Sequence, residues 1–214
     1  MPEVQGGASS KAGALITALE WVFDRVSAMP AGRLSDREIN RMVALYSTGA
    51  GAAGFVTNIG GLLTLPVALP ANLVGVAAIQ LRLIAVIATA RGHDVQSEEV
   101  RTLGIACLTG GAALEVLKDV GIQFGVKLGE RAIGRLAPAV LARINQAVGF
   151  RLVAQAGTTG LVNVAKVVPL VGGLVAGGFD AASTRAVGAI AKRVFVPLPP
   201  ARLPTMERAP ELIA

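Results

Sequence analysis

The chain has 214 residues, of which 53% are hydrophobic and only 16% charged, with a mean hydropathy of +0.61 and a formal charge of +6. That length can bury one full hydrophobic core, so nothing forces two domains, and the composition lies on the apolar side of ordinary soluble proteins. Six Phe, one Tyr and one Trp, mostly dispersed in apolar runs, are a poor stacking platform for single strands, so the positive charge favours an anionic membrane over nucleic acid.

Residues 1–10 are small and polar and read as a disordered N-terminus without the apolar core of a cleaved secretory signal. The expected location is the cytoplasm, peripheral to the inner face of a membrane. From Lys11 the spacing of Leu15, Leu19, Val22, Phe23 and Val26 predicts an amphipathic helix ending near Met29-Pro30. Ser35 with Glu38 three residues on forms a capping box for the next helix, which carries Ile39, Met42, Val43 and Tyr46.

Forty residues from Met42 to Leu81 then contain no Asp, Glu, Lys, Arg or His, whereas a membrane crossing takes about 20. Glycines and the prolines at 66 and 70 break this run into a small-residue helix, a bend and the start of a long helix. Two readings follow: an apolar surface for lipid, or spans over Met42–Leu65 and Pro70–Ala90. Gly49, Gly51 and Gly54 match the spacing of a dinucleotide fingerprint. No acid follows at the distance the ribose requires, so they read as helix-packing glycines.

The stretch from Pro66 to Asp94 is the longest helix-compatible segment and should form the core. Asn72, Gln80 and Arg82 are polar residues inside it that protein or ligand must satisfy. Arg91-Gly92-His93-Asp94 predicts a helix C-cap and turn, with Gly92 left-handed, Arg91 complementing the helix end and His93, the only histidine, solvated. Ser97 with Glu98 and Glu99 starts another helix, and Cys107 reads as a buried small hydrophobe.

Between Leu108 and Phe150, Gly121, Gly125 and Gly129 recur every fourth residue, as do Lys127, Arg131 and Arg135. The latter three form a candidate stripe for anionic lipid. The stretch from Lys166 to Phe195 holds a Gly173–Gly177 pair and two isolated charges, Asp180 and Arg185. These are natural partners for the polar residues of the long helix, and an Asp180 to Arg82 pair is expected. The tail 197–214 has five prolines and reads as an extended, mobile appendage.

Two of these blocks resemble the EcsC-like family. Leu69 to Asp94, LPANLVGVAAIQLRLIAVIATARGHD, is similar to its L-P-A-D-L, L-Q-L-R-L-I-A and Y-G-x-D pattern, and KVVPLVGGLVAGGFDAASTRAVGAIAKR to its Lys-x-x-Pro-x-x-Gly segment. Asn72 stands where the family often has Asp, and Arg91 where it often has an aromatic residue. The resemblance implies a helical, membrane-linked protein associated with bacterial transport and secretion, and it supplies no catalytic residues.

The expected architecture is all-α: one domain over 11–196, with seven to nine glycine-packed, strongly apolar helices and mobile tails. The expected function is non-enzymatic lipid or membrane binding, with a fatty acyl ligand, a membrane surface or a transporter as partner. GxxxG faces offer a contact for homo-oligomers, and no metal or cofactor is expected. A lipid-acting hydrolase built on Asp94, Asp180 or Ser183 lacks the nucleophile elbow that would support it.

Overall fold

The structure, a computed structural model, describes residues 13, 15–25, 33–58, 65–119, 133, 136–162 and 171–198; at 57–58, 65–74, 153, 155–162 and 171–173 only the backbone is described. These residues form seven α-helices and no strand. They are α1 (15–25), α2 (Asp36–Asn58), α3 (Leu65–Ala90), α4 (Glu98–Cys107), α5 (Ala112–Asp119), α6 (Pro138–Val162) and α7 (Val171–Val194). The expected basic stripe Lys127, Arg131 and Arg135, and Lys166, lie outside the described residues, as does the side chain of Asn72.

The helix starts follow local chemistry. Ser35 N–H donates to Glu38 Oε2 at 2.8 Å while Glu38 N–H donates to Ser35 Oγ at 3.3 Å, the reciprocal pair of a capping box. Ser97 Oγ accepts from Val100 N–H at the head of α4, and Pro138 opens α6 where its missing N–H is not needed. The end of α3 is a Schellman motif: Gly92 takes φ +88°, its N–H reaches Thr89 O, and His93 N–H reaches Ala88 O.

The central element is α3, 26 residues long. From Leu83 to Ala88 it is apolar on every side, and Leu81, Leu83, Ile84, Ile87 and Ala88 are all fully buried. Such a helix can only be satisfied by neighbours all round it. On one side Phe23 of α1 and Gly104 of α4 meet Ile84; a Cβ on Gly104 would stand 2.8 Å from the Phe23 ring. On another, Leu83 and Val43 crowd Gly188 of α7, at 3.2 and 2.9 Å from where its Cβ would be.

Three helices therefore form one layer. α2 runs antiparallel to α7, since Asn40 bonds Lys192, Val43 meets Gly188 and Gly51 meets Gly177. α3 runs parallel to α7, since Gln80 bonds Ser183 and Thr184 while Arg91 bonds Lys192 and Phe195. Among the described residues no helix is long and apolar enough to cross a membrane. Parts of the alternative spans Met42–Leu65 and Pro70–Ala90 lie outside the described residues; in the described part of α3 the apolar side chains are taken up by contacts with other helices.

Candidate functional site

The isolated polar residues converge on α7. Gln80 is buried, and its amide donates to Ser183 Oγ at 3.1 Å and to Thr184 Oγ1 at 3.2 Å. Ser183 in turn donates to Asp180 O at 3.1 Å. Asp180 is buried against α2, its Cγ 2.9 Å from where a Cβ on Gly54 would stand, so only glycine at 54 leaves room for the carboxylate. Arg82 is partly buried, and Arg185 is exposed on the outer face of α7. The sequence had matched the trio with charges; Gln80 found hydroxyls, because a neutral amide needs no countercharge.

The glycines of GAGAAG lie within α2, not in a strand-to-helix loop, and so cannot cradle a phosphate. Gly51 and Gly177 face each other where α2 crosses α7: a Cβ on Gly177 would stand 2.5 Å from Gly51 O. Gly177 is thus occupied inside the fold and does not present a surface for a second copy.

A second polar cluster closes the opposite end of the layer. Arg91 donates from Nη1 to the carbonyls of Lys192 at 3.2 Å and Phe195 at 3.1 Å, and from Nη2 to Asp36 at 2.7 Å. It caps α7, not the α3 end the sequence suggested. The expectation of a solvated His93 is also overturned. It is only 6% exposed, its Nε2 lies 2.8 Å from Val196 O, and its ring packs edge-on to Phe195 at 5.3 Å. The chain stays docked through Leu198, two residues past the expected domain end at 196, with Leu198 N–H donating to Arg91 O.

Among the described residues, the candidates for a lipid hydrolase do not come together. Ser183 stands twelve residues before Phe195, which follows the end of α7, so it lies about 18 Å from His93's packing partner, too far for nucleophile and base. Asp94 is engaged in an Asx turn with Gln96 N–H. Among the described residues no group of His, Cys, Asp and Glu could hold a metal ion. A half-open cleft of about 370 Å³ lies between α1 and α6, lined by Ile16, Thr17, Glu20, Asn145 and Phe150. Burial raises the Glu20 carboxyl above its usual range.

What remains is a surface. Leu45 and Val56 on α2 and Leu174, Val175 and Phe179 on α7 are 42 to 68% exposed. Between them the outward positions are Gly49, Ala52, Gly178 and Ala182, all exposed. The antiparallel crossing of Gly51 with Gly177 sets Val56 beside the start of α7, so these residues lie on neighbouring helices as a largely apolar strip that includes the exposed hydroxyl of Thr48. Isolated exposed apolar residues are ordinary; periodicity signalled a helix, and only the pairing of α2 with α7 revealed the strip. No family model, no curated protein and no solved structure matches the chain.

Proposed function

We propose that this chain is a non-enzymatic, membrane-associated or lipid-binding helical protein of the EcsC-like kind, working at the inner face of a bacterial membrane in transport, secretion or lipid handling. The observation that carries the reading is the exposed strip of Leu45, Val56, Leu174, Val175 and Phe179 on two helices that have no charge from Met42 to Asn58 and from Val171 to Phe179. A soluble monomer has little use for such a strip, and burying it in lipid releases about 25 cal/mol for each Å² removed from water.

On this reading, tight helix crossings at glycine allow a small-residue surface, and the pairing of Arg82 with Asp180 keeps the layer's buried charge in place. Lys127, Arg131 and Arg135 add attraction for anionic headgroups, each worth about 1 kcal/mol near the surface. The test is flotation of the purified protein with phosphatidylcholine–phosphatidylglycerol vesicles, with mass spectrometry of co-purified lipid. The protein is expected to rise with the vesicles. Protein that stays at the bottom of the gradient and carries no acyl chain overturns the proposal.

A further inference from the structure

We propose that the outer α2–α7 face lies against an anionic phospholipid leaflet, with the Val56–Leu174–Phe179 end among the acyl chains and Arg41, Arg185 and Arg193 at the headgroups. This rests on the reading that the protein engages lipid, and it names the face and the lipid charge.

The sign of the charge is the first observation. From Arg41 to Val56 on α2 and from Leu174 to Arg193 on α7, every exposed charge is an arginine. The acid in that interval, Asp180, is buried under the crossing with α2. Exposed acids occur elsewhere: Asp24 on α1, Asp94 and Glu98 after α3, Glu115 and Asp119 on α5, and the first turn of α2. Exposed Glu38 stands one turn before Arg41 on that side of α2, so the rim there is mixed, while Arg185 and Arg193 have no exposed acid on α7; the rim as a whole is net cationic, complementary to anionic headgroups and apolar chains together.

The order of residues along the face is the second. Leu174 to Arg185 spans about 16 Å at roughly 1.5 Å per residue, so a modest tilt carries the apolar end below the headgroups while the guanidinium stays among them. Arginine stems can extend along apolar surface to hold that position. The chemistry of the strip decides against a protein partner. Its outward residues between the anchors are Gly49, Ala52, Gly178 and Ala182, and the one hydroxyl among them, Thr48, already donates to Ala44 O of its own helix, so little is left to give register, whereas fluid chains need none.

Trp21, the only tryptophan, is 67% exposed on α1, which packs on α3 through Ile84, away from the Leu83 side that meets α7. It is therefore a built-in control. In the Trp21→Phe background, Phe179→Trp and, separately, Val56→Trp are introduced at exposed positions, and circular dichroism verifies the fold. With phosphatidylcholine–phosphatidylglycerol vesicles both reporters should shift to the blue and be quenched by brominated acyl chains, while Trp21 in the wild-type protein is not quenched. Arg185→Gln should weaken partitioning about fivefold, the equivalent of about 1 kcal/mol, and high salt should do the same.

Vesicle binding with both reporters unquenched means that another face meets the lipid; the inference then falls and the proposed function stands. Equal partitioning into pure phosphatidylcholine overturns the cationic rim. A blue shift that grows with protein concentration in the absence of vesicles assigns the face to a second copy of the chain and overturns the proposal. No vesicle binding at all overturns the inference, and overturns the proposed function as well where no acyl chain co-purifies with the protein.

Discussion

Glu38 and Glu20 show how a single carboxyl records its surroundings. The Ser35 hydroxyl and N–H both bond Glu38, and these bonds hold its carboxyl below the usual range. The ionised form is the one the folded state favours, so its stabilisation is present above the unfolded value and is lost as pH falls through the lower folded one. Glu20 has the opposite sign: burial raises its carboxyl, so folding is favoured below the unfolded value, and that advantage is lost as pH rises through the raised one. Ser35→Ala should therefore make melting temperature less steep on the acid side, while Glu20→Gln should raise it at neutral pH, checked by melting curves between about pH 3 and 7. A Ser35→Ala profile parallel to wild type would show that the capping box does not set the Glu38 titration. Burial alone also pushes the Cys107 thiol far up, which explains why it behaves as core.

At the scale of elements, the crossing of α2 with α7 depends on the absence of side chains. Gly177 and Gly178 are neighbours on one helix with opposite surroundings: a Cβ on the first would press on the Gly51 carbonyl at 2.5 Å, and on the second would meet nothing within 4 Å. Gly177→Ala should cost about 1 to 3 kcal/mol through overpacking against backbone that cannot rotate away. Gly178→Ala should gain up to about 1 kcal/mol from helix propensity. Chemical denaturation of the pair checks both signs. Helix existence was legible in the sequence because caps and periodicity are local: Ser35–Glu38, Ser97 and Gly92 all act where they were read. Partners were not, because they depend on which helices become neighbours. His93 was misread as solvated, although it follows the left-handed glycine of a Schellman motif, a position that often packs back onto its helix. The Gln80 bond to Ser183 and Thr184 spans more than a hundred residues and has no local signal.

Across the whole molecule the α2–α3–α7 layer has two unlike ends. One, the end proposed to meet lipid, exposes no charge among the described residues of α2 and α7; the other is closed by Arg91, which joins all three helices. Its guanidinium is 10% exposed, while its partner Asp36 is 77% exposed, so the ion pair itself is worth at most about 1 kcal/mol. The larger contribution should come from the carbonyls of Lys192 and Phe195, which close α7 and would otherwise lack a charged donor. Arg91→Ala should then cost about 2 to 3 kcal/mol, while Asp36→Ala should cost less than about 1. Arg91→Lys should resemble the alanine variant, because an ammonium cannot present the planar fork that reaches two carbonyls and a carboxylate together. Urea denaturation of the three variants separates the alternatives. Equal losses for Arg91→Ala and Asp36→Ala would make the ion pair the closing element. A large loss confined to Arg91 variants makes it the cap on α7, and hence the device that fixes the register in which α2 and α7 present one face.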